Sequence, residues 1–293
     1  MRTEKELLNL FERMVKNDER IRLSVLEGSR TNKNIPKDNF QDYDISFFVT
    51  DIESYKQDDS WLHIFGDLIF IQKPEDMELF PAELGNWFSY IMYFNDGIKI
   101  DLTLIPLDEI TGYFADSDDL VEVLIDKDRR IKEKIIPNDK NYWIKKPTER
   151  EFDDCCNEFW SVSTYVAKGL WRKELFFALD HFNQILRPEL FRMIAWEVGT
   201  REGFNFSVGK NYKFIDQYLP QEEVEKLINT FSGAGYKQCW ESFELCCEMF
   251  RSASKKVAFS LGYKYPDYDE KMTDFIHNIY AKLSEKKLKK DNY

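Results

Sequence analysis

The sequence predicts an α+β protein, with a mixed β-sheet module over residues 1–146 followed by a mainly α-helical bundle over residues 147–293. Three observations predict it. Short apolar runs separated by turn residues crowd the first half, which is how strands read. After about residue 147 the apolar positions recur at helical spacing instead. Gly and Pro are scarce, 12 and 9 in 293 residues, so long structureless linkers are not expected. A chain of this length suffices for one large domain or two smaller ones, each with its own core.

The elements follow in order. Residues 3–17 place Leu7, Leu8, Leu10, Phe11, Met14 and Val15 on one helical stripe, with Thr3 as N-cap. Residues 21–26 (IRLSVL) read as a strand that Gly28-Ser29 terminates. The polar stretch 31–41, containing Pro36, reads as a loop. Further strands are expected at 43–50, 67–72, 88–94, 97–105 and 120–125. Asn95-Asp96-Gly97 between two of them is a hairpin signal.

In the second half, Pro147-Thr148-Glu149 opens a helix to about residue 168, with Phe152, Cys155, Cys156, Phe159, Trp160 and Val162 as its apolar positions. Residues 170–199 read as two helices broken near Pro188. Helical stretches are also expected at 211–219, 221–231, 237–257 and 268–288, and the Lys-rich end (EKKLKKDNY) reads as a solvated, frayed terminus.

Bulk properties exclude some functions. The net charge is −12, whereas duplex nucleic-acid binders draw affinity from a basic face, so a nucleic-acid partner is disfavoured and a cationic one suits the field. The five cysteines (Cys155, Cys156, Cys239, Cys246 and Cys247) form no regular framework, and with only three histidines (His63, His181 and His277) zinc knuckles are not expected. Ordinary thiols in a reducing cytoplasm are the expectation. With a start that is charged throughout, no secretory signal is expected, and with no apolar run approaching ~18 residues no membrane span is expected.

The chemistry is concentrated in VLEGSRTNKNIPKDNFQDYDISFFV, residues 25–49. A strand ends in Gly28-Ser29, a polar loop follows, and Asp42-Tyr43-Asp44 opens the next strand. Side chains two apart on a strand share a face, so Asp42 and Asp44 present paired carboxylates, an oxygen donor set suited to Mg²⁺. Asp101 lies among Ile100, Leu102, Leu104 and Ile105, where an unpaired carboxylate costs several kcal/mol, so it needs a charge partner. A metal shared with Asp42 and Asp44 is such a partner. Gly28 permits close backbone approach to a phosphate, Ser29 offers hydroxyl and amide, and Arg30 or Lys33 adds positive charge.

A Gly-Ser turn, an Asp-x-Asp pair about a dozen residues on, and a third Asp on a neighbouring strand together resemble the DNA polymerase β-like nucleotidyltransferase superfamily. The wider segment GSRTNKNIPKDNFQDYDISFFVTD and the KIDLTLIP strand look like the aminoglycoside 6-adenylyltransferases. The resemblance implies adenylylation of a streptomycin hydroxyl with ATP and Mg²⁺. Asp42, Asp44 and Asp101 would then hold metal, with Asp101 also orienting or deprotonating the hydroxyl. Gly28, Ser29 and Arg30 would bind the nucleotide, with Lys210 and Lys213 (VGKNYKF) reaching the triphosphate from the helical half.

A guanidinium-bearing substrate calls for acidic and aromatic contacts. The candidates in the helical half are Glu158, Trp160, Trp171, Asp180 and Trp196, lining a cleft between the halves. Two alternatives stay open: another acceptor within nucleotidyl transfer, or a non-catalytic nucleotide-binding relative.

Overall fold

The computed structural model describes residues 1–117, 119–231 and 235–290, with side chains described through residue 282. The chain forms two compact units, Met1–Asn141 and Tyr142–Tyr293.

In the first unit, helix α1 (Glu4–Asn17) starts with a capping box in which Thr3 accepts from the Glu6 amide and Glu6 accepts from the Thr3 amide. Its Leu7, Leu10, Phe11, Met14 and Val15 are buried, as the stripe predicts. The strands are β1 (Ile21–Glu27), β2 (Tyr43–Val49), β3 (Leu68–Gln72), β4 (Phe88–Phe94), β5 (Lys99–Pro106) and β6 (Val121–Asp126). A short helix α2 (Glu53–Lys56) follows β2, and α3 (Ile110–Asp116) follows β5. The six strands form one mixed sheet, ordered β3-β4-β5-β2-β1-β6. Only β2 and β5 pair in parallel; the other neighbours are antiparallel. Gly97, at φ +82°, closes the expected β4–β5 hairpin, a conformation a side chain disfavours.

The alternation along the strands decides what the two faces do. Ile100, Leu102 and Leu104 of β5 join Tyr43, Ile45 and Phe47 of β2 in the larger core, which α1 covers. The intervening residues therefore point the other way: Asp44 and Ser46 on β2, Lys99, Asp101 and Thr103 on β5. Part of this second face is covered. There Leu23, Val25, Phe48 and Ile105 pack with Ile110 and Tyr113 of α3. The carboxylates occupy the remainder.

The second unit is helical: α4 (Glu149–Arg172), α5 (Leu175–His181), α6 (Arg187–Glu202), α7 (Gln221–Asn229), α8 (Tyr236–Leu261) and α9 (Asp269–Lys290). Thr148 and Glu151 form a second capping box at the start of α4. Phe159 of α4 stacks on Phe250 of α8 with centroids 3.7 Å apart, at the heart of this core. All five cysteines are free and buried here.

Two helical expectations are corrected. The break does not fall at Pro188. The chain turns at Lys173, which adopts a left-handed conformation, and α5 continues into α6 through a π-turn at Phe182–Leu186. Pro188 sits in the first turn of α6, directly after the π-turn, where the Arg187 amide donates to the Phe182 carbonyl five residues back. Residues 211–219 form no α-helix. They make two 3-10 turns, Lys210–Tyr212 and Ile215–Tyr218. Asn211 and Tyr212 adopt left-handed conformations, at φ +55° and +60°, through which a right-handed α-helix cannot run. Helix α9 runs through Lys290, and the rest of the Lys-rich end, residues 291–293, lies outside the described residues.

Candidate active site

The site is assembled by register. Asp44 lies opposite Asp101 in the parallel β2–β5 pair and opposite Glu27 in the antiparallel β1–β2 pair. Three carboxylates from adjacent strands thus share one stretch of one face. Asp42, just before β2, adds a fourth. Its Oδ2 accepts from Lys99 Nζ at 2.7 Å, and the same ammonium donates to Asp101 Oδ2 at 2.8 Å. Lys99 is two residues before Asp101 on the same strand, so the two share a face. The site-level reading of the sequence missed both Lys99 and Glu27, although that spacing was available for Lys99.

Gly28 opens a 3-10 turn at the end of β1 with φ +67°. A Cβ there would lie 2.5 Å from Asp44 Oδ2, closer than real contacts allow. Glycine is required twice over, for its backbone conformation and for the room it leaves Asp44. The turn is held by the Gly28 amide, which donates to the Leu120 carbonyl at 2.9 Å, and by Thr31, whose hydroxyl donates to the Gly28 carbonyl at 2.9 Å. Ser29, next in the turn, is half-buried.

The electrostatics follow from this crowding. Burial, then the charges of Asp101, Asp42 and Glu27, push Asp44 up to about 7, against the pull of Lys99. Burial also raises Asp101, with Lys99 opposing and Asp42 adding to the rise. Burial works to lower Lys99, but its bonds to Asp101 and Asp42 outweigh that and hold it protonated well above its ordinary range. The cluster therefore carries more negative charge than one ammonium neutralises.

These residues fit a hard divalent cation. The donors are all carboxylate oxygens, the preference of Mg²⁺. Asp101 Oδ1 is buried without a hydrogen-bond partner among the described residues. Lys99 already plays the part of a cation between two of the carboxylates. Among the described residues no three His, Cys, Asp or Glu side chains converge on one point as a ready metal cage.

A model of the streptomycin adenylyltransferase family matches residues 1–279. The chain belongs to that family. The aminoglycoside 6-adenylyltransferase of Bacillus subtilis (strain 168) is 60% identical over 283 residues, covering 97% of this chain and 100% of its own. That of Staphylococcus aureus is 58% identical, covering 96% and 99%, and that of Campylobacter jejuni 55%, covering 94% and 95%. A crystal structure of an aminoglycoside 6-adenyltransferase from Bacillus subtilis is 55% identical, covering 96% of this chain and 99% of that one, with a TM-score of 0.48.

In this member of the streptomycin adenylyltransferase family, Arg30 faces inward. It donates to the backbone carbonyls of Asp42 at 2.9 Å and Gln41 at 2.5 Å and lies over the Tyr43 ring at 3.6 Å. Its task is to hold the loop that delivers Asp42. Lys33 is exposed and joins Lys37, Lys132 and Lys134 around a cavity of about 660 Å³ beside the turn.

The remaining candidates belong to the helical unit. Lys210 and Lys213 are exposed around the 3-10 turn at Lys210–Tyr212. Glu158 on α4 and Asp180 on α5 are exposed, and Trp171 is half-buried in the last turn of α4. Trp160 and Trp196 are corrected as substrate contacts. Trp160 is 2% exposed, packed against Phe159 and Phe250 with Arg251 over its ring, and Trp196 is 9% exposed in the same core. The sequence could not separate a core tryptophan from a surface one on the same helix.

Proposed function

We propose that this protein transfers AMP from ATP to the 6-hydroxyl of streptomycin, releasing pyrophosphate and inactivating the antibiotic. The observation that carries the reading is the register that lines up Asp44 with Asp101, next to a turn whose Gly28 leaves no room for a Cβ. Support comes from relatives named as aminoglycoside 6-adenylyltransferases across nearly the whole chain.

Asp42 and Asp44 would hold Mg²⁺, with Asp101 as third ligand. Bound there, the ion would neutralise charge on the triphosphate and on the attacking and leaving oxygens. The chain's own residues do the rest. The Gly28-Ser29 turn brings the Ser29 amide and hydroxyl to the phosphates, while the Gly28 amide stays on the Leu120 carbonyl. Asp101 orients the acceptor hydroxyl and takes its proton as oxygen attacks the α-phosphorus in line. Lys99, displaced from its two carboxylates, keeps positive charge beside the reacting phosphate. Lys210 and Lys213 are assigned to the triphosphate, and Glu158, Trp171 and Asp180 to the cationic acceptor. The acidic balance favours that acceptor over nucleic acid. Five free buried thiols suit a cytoplasmic setting. No helix among the described residues is long and apolar enough to cross a membrane.

The test is pyrophosphate release from ATP and Mg²⁺ with and without streptomycin. Streptomycin-dependent release supports the reading. ATP binding without release points to another acceptor, and absence of both overturns it.

A further inference from the structure

The face that carries Asp101 continues into a groove that the nucleotide roles leave unused. Asp101 and Thr103 of β5 pair with Ile91 and Ser89 of β4, and these four form its floor. The segment after β3 makes the wall, where Glu75, Phe80 and Glu83 reach the groove. Its volume is about 530 Å³, within the range of small-molecule sites. The wall is tied down at one end, because the Ser89 amide donates to Glu75 Oε2 at 2.7 Å.

Its chemistry is one-sided. Glu75, Glu83 and Asp101 line it, and among the described residues no lysine or arginine does. The cavity beside the Gly28-Ser29 turn has the opposite character, with Lys33, Lys37, Lys132 and Lys134 around it. Glu83 has no ion pair among the described residues. Phe80 is 61% exposed, an aromatic face with no ring or cation partner among the described residues. The unpartnered Asp101 Oδ1 lies at the floor.

We infer that this groove, within the sheet unit itself, binds the cationic ring of the acceptor, with Glu83 taking its guanidinium or ammonium group and Phe80 covering it. The inference rests on the acceptor reading proposed above. It places a recognition element beside Asp101, so that a hydroxyl of the bound ring is presented to the carboxylate that takes its proton. Glu75 positions the wall through Ser89 rather than contacting the acceptor first. Charge pairing and cation–π contact at this one place select guanidinium- or ammonium-bearing polyols over neutral sugars.

The experiment measures streptomycin binding by calorimetry and steady-state kinetics for the wild type, Glu83→Gln, Phe80→Ala and, as a control, Glu78→Gln. Glu78 is exposed on the same segment and does not line the groove. Glu83→Gln is expected to raise both Kd and KM for streptomycin by about tenfold, the loss of one charge-assisted contact, with KM for ATP and kcat little changed. Phe80→Ala moves the same two constants by a smaller factor. An unchanged acceptor Kd and KM in Glu83→Gln, or equal effects in Glu83→Gln and Glu78→Gln, overturns the inference while leaving the reaction standing. Wild-type protein that binds streptomycin through Glu83 without turnover overturns the reaction and keeps the groove. Wild-type protein that does not bind it overturns both.

Discussion

At the scale of single residues, burial of the Asp44 carboxyl costs the fold stability. Buried beside Asp101, Asp42 and Glu27, its carboxyl is raised from 3.8 to about 7. A raised carboxyl binds its proton more tightly folded than unfolded, so the fold loses stability as pH rises from the unfolded value through about 7, and the full penalty applies above that. Asp44→Asn should therefore raise the Tm of the ligand-free protein at pH 8 and change it little at pH 4, while abolishing turnover. A thermal melt at the two pH values checks this, and an unchanged or lower Tm at pH 8 contradicts it. Lys99 gives a second prediction. If its ammonium stands in for a metal, removing it frees Asp42 and Asp101 for one. Lys99→Met should tighten Mg²⁺ binding to the free protein several-fold by calorimetry, while lowering turnover. Weaker Mg²⁺ binding would mean that the lysine organises the carboxylates instead of competing for them.

Single elements show how far local signals reach. The Thr3 cap of α1 and the entry to α4 at Pro147-Thr148-Glu149 were legible from local residue types, and the structure adds that Glu6 and Glu151 close both caps into boxes. Thr148→Ala should cost about 1 kcal/mol of the second unit's stability, measured by denaturant melts, with no change in the acceptor Kd. A shift in that Kd with no loss of stability would give the α4 start a binding role. The strands were legible from their apolar runs. The π-turn before Pro188 and the 3-10 turns at 210–218 were not. In both places hydrogen bonds and packing resolve a pattern that the apolar spacing leaves ambiguous between helix types.

The whole molecule carries a charge of −12. A summed field of that sign attracts a polycationic acceptor and is screened by salt. Raising ionic strength from low to physiological should therefore lower kcat/KM for streptomycin, acting through KM more than kcat. If instead kcat/KM for streptomycin is flat with salt, recognition rests on local contacts alone.

The sequence by itself determined the α+β order of elements, the three aspartates and the Gly28-Ser29 turn. Each is a local signal: periodicity, a turn dipeptide, or a charge that an apolar strand cannot leave unpaired. The tertiary structure alone decided which charges meet. Strand register sets Glu27 opposite Asp44 and Asp44 opposite Asp101, and sheet order brings β4 beside β5 to floor the acidic groove. Only folding could show that Arg30 is spent on the Asp42 loop and that Trp160 and Trp196 are core. Partnership and burial depend on residues distant in the chain, and no local pattern encodes them.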